Sequence, residues 1–387
     1  MHFMSPSISI GVAVYNVKAY LAACLDSILR HASEEIEVLV VDDASCDGSG
    51  GLCDSYAKRS PFIRVIHFPY NCGICAVRNT ILREATGKWL FFVDGDDLLP
   101  EEFSAVAKSL LHLPYDLIFF DYISCQEQVF QYTASIGQPV IELSPQVLEA
   151  YCISCATGAP CRLADARLHS VRYTSVWAKA YRRAFLLEQN LWFPEKQEKS
   201  QDVLFNTLVY HACRSAAYIP VVMYGYRKHP NSVCNRYHSD FLPGMEQLME
   251  RNLAHITEFF PGREDLLDDF LHYRVAGILL DTMRLSIFHP DNPMKYHQRR
   301  QAFHALLEYP RFSECLANLD LTCYWLERQF LLNCARKRRF FLLTLAYRYP
   351  WILKGYGGIM HRKKYWKAKW MWGYHANETG QYYRPHL

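Results

Sequence analysis

Short apolar runs alternate with longer amphipathic segments over the first 120 residues. Four runs are rich in apolar residues and predict β-strands: residues 8–14, 36–41, 63–68 and 89–93. Residues 18–31 and 75–85 carry apolar side chains at helical spacing, so they predict helices between the strands. This alternation predicts a parallel sheet with right-handed crossovers, in which ligands bind at the carboxyl ends of the strands.

From about residue 126 the alternation weakens and the pattern changes towards helices. The elements predicted here are three helices, a strand and a final helical region, at residues 145–155, 177–187, 202–213, 217–226 and 241 onwards. At 387 residues the chain is long enough for two or three domains. We therefore divide it into residues 1–125, residues 126–235 and a helical carboxyl-terminal region, residues 236–387.

The composition is that of a globular protein. Half of the residues are hydrophobic and 21% are charged, which excludes a disordered or fibrous chain. No apolar stretch approaches the ~20 residues that a membrane-spanning helix needs. The amino end lacks the basic, apolar and small-residue order of a secretion signal. We therefore expect a cytoplasmic protein.

Fourteen cysteines are scattered along the chain, and we expect reduced thiols in a protein of this size. Two pairs have Cys-x-x-Cys spacing, Cys72 with Cys75 and Cys152 with Cys155. A zinc ion is the alternative role for either pair, but neither has a second ligand pair at a familiar zinc-binding spacing. The spacing therefore favours thiols over a zinc site.

Positive charge is concentrated near the carboxyl end of the chain. Residues 328–377 contain twelve Lys or Arg and no Asp or Glu, so the rest of the chain carries a net charge of −9. Trp366, Trp370 and Trp372 lie within this basic segment. Cations interleaved with tryptophan favour binding to an anionic membrane surface. The alternatives are a solvated basic face, an acidic protein partner or nucleic acid.

Three carboxylates follow the fourth predicted strand, in the sequence Asp94-Gly95-Asp96-Asp97. Two anions ~4 Å apart repel each other by ~4 kcal/mol at an effective dielectric of 20. A divalent cation would offset this repulsion, and Mg²⁺ or Mn²⁺ suits carboxylates combined with substrate phosphates. A solvated acidic turn is the alternative, which the position directly after a buried strand disfavours.

Two further loops follow predicted strands at the same edge of the sheet. Residues 42–49 include Asp43, whose carboxylate can accept a hydrogen bond from the N–H of a pyrimidine base, while the serines of this loop can cap the next helix. Residues 71–79 form a glycine-containing loop that enters a helix. Such a loop can present backbone N–H groups and Arg78 to a diphosphate.

Taken together and in this order, these loops resemble those of the family 2 glycosyltransferases, which have the GT-A nucleotide-sugar fold. The resemblance ends near Val233 and is carried by five tracts: residues 9–16, 87–97, 176–183, 201–205 and 224–227. It implies an α/β fold class, with a Rossmann-like nucleotide-sugar domain on a mixed, mostly parallel sheet, followed by the helical region. Residues 1–125 would then form the nucleotide-sugar half and residues 126–235 the acceptor half of this domain.

The resemblance also implies roles for the residues at matching positions. The donor-binding residues would be Tyr15, Asp43, Arg78, Asp94 and Asp96. The metal ligands would be Asp96 and Asp97, and the catalytic base would be Asp202. Gln201 stands where the family has Glu. This replacement removes a negative charge that would raise the pKa of Asp202.

The implied activity is an inverting transfer of a sugar from a nucleotide-diphosphate donor, a UDP-sugar foremost, to a hydroxyl of a glycan or lipid-linked acceptor. A divalent cation, Mn²⁺ or Mg²⁺, would assist a single displacement in which Asp202 accepts the hydroxyl proton. We expect a role in cell-surface polysaccharide or lipopolysaccharide synthesis, on the cytoplasmic face of the inner membrane, with no nucleic acid partner. His229 and His238 would touch the diphosphate or metal, or serve as ordinary surface or core residues.

Three other functions are compatible with parts of the sequence. A non-catalytic nucleotide-sugar-binding scaffold on the same fold is supported by Gln201 alone. A nucleic-acid-binding protein would use the basic segment 328–377, although the five matched tracts lie elsewhere. A sugar-nucleotide-forming nucleotidyltransferase would need a glycine-rich basic loop after the first strand, and residues 14–18 do not form one.

Overall fold

The structure, a computed structural model, describes residues 6–349 and the pairs 375–376 and 382–383. Residues 126–138, 162, 164, 169, 198 and 230–235 within that span are not described. The chain divides into two compact units. Unit 1 comprises Met1–Cys234 and Gly244–Leu267, and unit 2 comprises Asn235–Pro243 and Asp268–Leu387.

An eight-stranded sheet forms the centre of unit 1. Its strands are β1 (Ile8–Val14), β2 (Ile36–Asp42), β3 (Ile63–His67), β4 (Trp89–Asp94), β5 (Leu117–Cys125), β6 (Ile141–Leu143), β7 (Lys179–Arg182) and β8 (Ala216–Arg227). Their order in the sheet is β3-β2-β1-β4-β7-β5-β8-β6. Strands β1 to β4 pair in parallel, and β5 is parallel to β8. Strand β7 is antiparallel to both of its neighbours, and β6 is antiparallel to β8.

Helices cover both faces of this sheet. They are α1 (Lys18–Leu29), α2 (Ser49–Ala57), α3 (Ile74–Glu84), α4 (Phe103–Ser109), α5 (Pro145–Thr157), α6 (Arg183–Glu188) and α7 (Gln201–Ala212). Two further helices, α8 (Phe241–Phe259) and α9 (Glu264–Phe270), have residues in both units. Apolar residues of α1, α2 and α4 share one core cluster with β1, whereas residues of α3, α5 and α7 belong to a second cluster. Alternate residues of each strand face opposite sides of a sheet, so both faces of these strands are apolar.

The parallel order of β1 to β4 confirms the sheet that the sequence predicted, and the helices and strand expected at 145–155, 202–213 and 217–226 are present. The prediction of one helix over residues 177–187 is wrong. Lys179–Arg182 forms β7, and only Arg183–Glu188 is helical. The backbone of β7 pairs with β4 on one side and β5 on the other, and these long-range hydrogen bonds override the local helical spacing. Strands β5 and β6 were not predicted.

Unit 2 is helical, as the sequence predicted. Its helices from residue 276 onwards are α10 (Ala276–Thr282), α11 (Tyr296–Glu308), α12 (Pro310–Asn318), α13 (Leu326–Arg336) and α14 (Phe340–Arg348). Two π-helical segments, Leu271–Val275 and Met283–Ile287, flank α10. Near the carboxyl end, His375–Ala376 pairs with Tyr382–Tyr383. No helix among the described residues combines the length and the apolar character required to cross a bilayer.

Candidate active site

The acidic turn after β4 lies against the end of β1. The backbone N–H of Gly95 donates to the carbonyl oxygen of Ala13 at 2.9 Å. A β-carbon at position 95 would come within 2.9 Å of the same oxygen, so this close approach requires glycine. The turn therefore lies at the carboxyl ends of two parallel strands, which is where open α/β sheets bind ligands.

Asp97, the last residue of this turn, is buried. Its Oδ2 accepts a hydrogen bond from the Tyr224 hydroxyl at 2.6 Å, and its Oδ1 accepts one from the backbone N–H of Arg227 at 2.7 Å. Both donors belong to β8, so Asp97 connects the turn to that strand. Burial, together with the charges of Asp96 and Asp94, raises the pKa of Asp97 well above its ordinary value.

Asp96 is the partly exposed neighbour of Asp97 in the turn. Its Oδ2 lies 2.8 Å from Nε2 of His229, in the loop that follows β8. The His229 ring packs against the ring of Tyr20, with centroids 4.2 Å apart. Burial and the charge of Asp94 raise the pKa of Asp96, and the hydrogen bond from His229 acts in the opposite direction. His229 therefore lies beside the acidic turn, and its contact with a diphosphate or a metal stays a prediction.

Arg78 connects two carboxylates that are distant in sequence. Its Nη2 donates to Asp94 Oδ1 at 2.9 Å, and its Nη1 donates to Asp202 Oδ1. The Arg78 side chain is only 4% exposed, against 31% for Asp94 and 22% for Asp202. Both terminal nitrogens of Arg78 therefore bind carboxylates, and the contact with a diphosphate stays a prediction.

Asp202 lies in the first turn of α7, which begins at Gln201. Burial raises the pKa of Asp202, whereas the positive charge of Arg78 lowers it. Gln201 adds no charge to this site, and its buried Oε1 has no hydrogen-bond partner in the part of the chain that is described. Burial and Arg78 are therefore the two largest influences on the pKa of Asp202, and the acidic side chain that the family usually has at position 201 is absent.

Asp43 is buried at the end of β2 and binds the loop that precedes α3. Its Oδ1 accepts a hydrogen bond from the backbone N–H of Cys72 at 2.7 Å, and its Oδ2 accepts one from the N–H of Gly73 at 2.9 Å. Gly73 has a φ of 84°, a conformation that favours glycine. Asp43 thus holds together the two loops to which the sequence assigned the base and the diphosphate. Its contact with a base stays a prediction.

Tyr15 follows β1 and is about half exposed beside the same loops. The next residue, Asn16, donates its backbone N–H to Ser45 Oγ at 3.0 Å, and its Oδ1 accepts the backbone N–H of Cys46 at 2.9 Å. The loops after β1 and β2 are therefore joined by direct hydrogen bonds. Tyr15 remains available at this edge as a predicted donor contact.

The residues of the acidic turn fit a divalent cation that has few protein ligands. No group of three or more His, Cys, Asp or Glu side chains converges on a single point among the described residues. Mg²⁺ sites commonly use one or two carboxylates together with substrate phosphates, so Asp96 with His229 beside it meets this requirement. Asp97 fits less well, because both of its oxygens already accept hydrogen bonds from β8.

The two Cys-x-x-Cys pairs do not form a metal centre with other described residues. Cys72 is exposed, whereas Cys75 is buried and its thiol donates to the carbonyl oxygen of Gln197. Cys152 is buried in α5, and burial raises the pKa of its thiol. His238 belongs to unit 2, where its backbone N–H donates to the carbonyl of Leu285 at 3.0 Å.

Comparison with known proteins connects this geometry with sugar transfer. Residues 9–162 match the sequence model described as Glycosyl transferase family 2. EpsH of Bacillus subtilis (strain 168), named provisionally as a glycosyltransferase, is 26% identical over 346 residues, which is 88% of this chain and 95% of EpsH. The uncharacterized glycosyltransferase EpsJ of the same strain is 29% identical over 292 residues, covering 75% of this chain and 77% of EpsJ. Residues 9–162 form a family 2 glycosyltransferase domain.

A solved structure extends the similarity beyond the sequence model. Residues 1–349 of TarS from S. aureus, crystallised in complex with UDP-GlcNAc, are 19% identical and superpose with a TM-score of 0.55. The match covers 88% of this chain and 91% of the TarS chain. This glycosyltransferase therefore has a GT-A fold, with the mixed, mostly parallel sheet and the helical carboxyl-terminal region expected from its sequence.

Several residues that build the site were not singled out from the sequence. The Tyr224 hydroxyl donates a hydrogen bond to Asp97 and accepts one from the backbone N–H of Asp94 at 3.1 Å. Trp177 stacks on Tyr224 with ring centroids 4.8 Å apart. Both aromatic residues lie in tracts that carry the family resemblance, but a strand pattern cannot show that one tyrosine supports two residues of a distant turn.

Proposed function

We propose that this glycosyltransferase inverts the configuration of the sugar that it transfers, with Asp202 as the general base. One observation carries the proposal: a single buried guanidinium, that of Arg78, binds both Asp202 and Asp94. The carboxylate at the start of α7 is thereby brought next to the acidic turn at the ligand-binding edge of the sheet. A base at this place can accept the proton of an acceptor hydroxyl while a nucleotide-linked sugar lies beside the turn.

A single displacement is the mechanism that these groups support. The oxygen of the acceptor attacks the anomeric carbon, the bond to the nucleoside diphosphate breaks, and the hydroxyl proton passes to Asp202. Burial raises the pKa of Asp202, which makes it a better proton acceptor than an exposed aspartate once it is ionised. Arg78 acts in the opposite direction and favours the ionised carboxylate, which is the form that accepts a proton. One such base is sufficient, since no covalent intermediate is formed.

The donor is a nucleotide-diphosphate sugar, and we propose UDP as its nucleotide. The support is the shared fold with TarS, which was crystallised with UDP-GlcNAc. Asp43 and Tyr15 lie on joined loops at the sheet edge, so they would bind the base and ribose side of the donor. Asp94 and Asp96 would lie nearer to the diphosphate and the sugar.

A divalent cation, Mn²⁺ or Mg²⁺, would be held by Asp96, with His229 beside it. When bound, it would stabilise the negative charge that develops on the departing diphosphate. We propose a different role for Asp97 from the one that the family resemblance implies. With both oxygens bound by β8, Asp97 would position the turn, and Asp96 would supply the carboxylate that faces the ligand.

The acceptor would be a glycan or a lipid-linked sugar at the cytoplasmic face of the inner membrane, in the synthesis of cell-surface polysaccharide or lipopolysaccharide. Phe341 of α14 is 61% exposed and its neighbour Leu342 is also exposed. Lys337 and Arg339 are exposed and come shortly before them, so cations lie next to an exposed apolar pair, which suits an anionic bilayer surface. Most of the basic segment, residues 350–377, lies outside the described residues except for 375–376.

Vesicle binding tests the membrane proposal. Each cation near an anionic surface contributes ~1 kcal/mol, so replacing Lys337 and Arg339 by Gln should weaken binding about 30-fold. We expect sedimentation with vesicles of phosphatidylglycerol and phosphatidylethanolamine, and none with pure phosphatidylcholine. Equal binding to both kinds of vesicle, or no loss in the double variant, would contradict the proposal.

A donor panel combined with an Asp202→Asn variant tests the catalytic proposal. UDP-, GDP- and dTDP-sugars are screened by thermal shift with Mn²⁺ or Mg²⁺, because a ligand that binds only the folded state raises the melting temperature. The nucleotide sugar that binds best is then used to measure release of its nucleoside diphosphate. We expect Asp202→Asn to bind the donor normally and to lose about 10²–10⁴-fold in turnover. The exposed Asp240→Asn variant is the control and should retain turnover. Full turnover by Asp202→Asn would refute the assignment.

A further inference from the structure

A buried lysine lies among the elements that support Asp202. Lys179, in β7, is 1% exposed. Its Nζ donates to the carbonyl oxygen of Arg172 at 2.9 Å and to that of Ser175. The ring of Phe119 lies 5.4 Å from the same nitrogen. A buried ammonium group is costly unless it is well paired, so its presence in the core of unit 1 requires an explanation.

The carbonyl of Ser175 connects this lysine to α7. It also accepts a hydrogen bond from Nδ2 of Asn206 at 2.9 Å. Asn206 is fully buried and lies four residues after Asp202 in α7, so the two side chains are on the same face of the helix. A chain of hydrogen bonds therefore runs from Lys179 through one backbone carbonyl to the first turns of the helix that carries the base.

Charge provides a second connection between Lys179 and Asp202. The charged groups that face Asp202 are Arg78 from α3, Asp94 from β4 and Lys179 from β7. The two cations lower the pKa of Asp202, and Asp94 raises it. Burial lowers the pKa of Lys179 to about 7, with Arg172 acting in the same direction and Cys155 and Asp202 acting against it.

We propose that Lys179 is a positioning residue for Asp202. Lys179 fixes the start of α7 through the Ser175 carbonyl and Asn206, and its positive charge favours the ionised form of the Asp202 carboxylate. The proposal rests on the proposed function, in which Asp202 is the base. A purely structural role, in which Lys179 only holds the loop at residues 172–175, would leave the acidity of Asp202 unchanged. The pH profile of turnover separates these two roles.

Three variants divide the proposal into its parts. Lys179→Gln removes the charge but keeps a donor, Lys179→Arg keeps the charge, and Asn206→Leu removes the link while leaving Lys179 in place. Turnover is measured at saturating donor from pH 5 to pH 9. The signal is the release of UDP from UDP-GlcNAc or, if the donor panel identifies another nucleotide sugar, the release of the nucleoside diphosphate from that donor.

We expect Lys179→Gln to lose at least tenfold in kcat and to shift the acid limb of the profile to higher pH, because the pKa of Asp202 rises. Asn206→Leu should lose kcat without this shift, and Lys179→Arg should keep the acid limb at its wild-type position.

A substrate-free measurement keeps the proposal distinct from the proposed function. Melting temperatures of the wild type, Lys179→Gln, Asp202→Asn and the double variant are compared at pH 6 and pH 8. We expect Lys179→Gln to change the melting temperature by different amounts in the wild type and in the Asp202→Asn variant, because the lysine interacts with the carboxylate. Equal effects in both backgrounds, or a folded Lys179→Gln with wild-type kcat and acid limb, would overturn the proposal. Full turnover by Asp202→Asn would instead refute the catalytic role of Asp202 itself.

Discussion

Replacing Arg78 by Met removes the cation that Asp94 and Asp202 share, while keeping most of the apolar length of the side chain. Removing one partner of a buried ion pair typically costs ~3–5 kcal/mol, because the remaining charge loses its compensation. Here two carboxylates lose their partner, but they are 31% and 22% exposed and so keep some access to water. We therefore expect a loss near the lower limit, about 3 kcal/mol of the free energy of unfolding at pH 7.5.

The sign of the pH dependence follows from the same contacts. Burial already raises the pKa of Asp202, and Arg78 opposes that effect. Without Arg78, the pKa of Asp202 in the folded protein rises further above its value in the unfolded chain. An acid with a raised pKa destabilises the folded state only while it is ionised, so the penalty is present above the folded pKa and disappears as the pH falls through it. The loss in Arg78→Met should therefore be smaller at pH 5 than at pH 7.5.

Urea denaturation at both pH values, followed by circular dichroism, measures these differences. Arg78→Lys is the control, since an ammonium group keeps the charge but cannot bind both carboxylates in the same forked geometry. We expect its stability to lie between those of the wild type and Arg78→Met. In the double variant with Asp202→Asn, the cost of Arg78→Met should be reduced. A loss below 1 kcal/mol, or one that grows as the pH falls, would refute the electrostatic reasoning.

Three further outcomes follow from the contacts of the site. Gly11→Ala should lower the free energy of unfolding by ~1–3 kcal/mol in urea denaturation, because the new β-carbon would lie 2.1 Å from Cγ2 of the buried Ile81; wild-type stability would contradict this. Asp97→Asn should lower the melting temperature more than Asp96→Asn does. Asp96→Asn should weaken the Mn²⁺ dependence of donor binding more than Asp97→Asn does. The reverse order in either measurement would contradict the roles assigned to these two residues. Asp43→Asn should weaken UDP binding at least tenfold by calorimetry, and unchanged affinity would remove Asp43 from the donor site.

The part of the fold that was predictable from the sequence is the part with unbroken local patterns. The apolar run at residues 8–14 is the observed β1, and the helical spacing over residues 75–85 matches α3 within one residue at each end. β1 lies between two parallel neighbours with helices on both faces, so its pattern is continuous. The elements around β7 could not be predicted in this way, because a four-residue strand is defined by its partners and not by its own sequence.

The same distinction holds for the site. The acidic turn was recognisable because three carboxylates follow a strand within four residues. The different roles proposed for Asp96 and Asp97 could not be predicted from the sequence, because Asp97 is bound by Tyr224, which lies in a strand more than a hundred residues away. Arg78 shows the same limit: its position in a loop suggested a phosphate ligand, and only the folded chain brings Asp202 to it.

The placement of β7 between β4 and β5 has a consequence for synthesis of the chain on the ribosome. Strand β5 pairs only with β7 and β8 among the described residues, and both lie more than fifty residues further along the chain. At 5–20 residues per second, the free edge of β4 and all of β5 would wait several seconds for their partners. Unpaired strand edges can pair with other chains, so we expect the nascent chain to depend on chaperones until β8 has emerged. In a fragment ending at residue 125, these edges would stay unpaired.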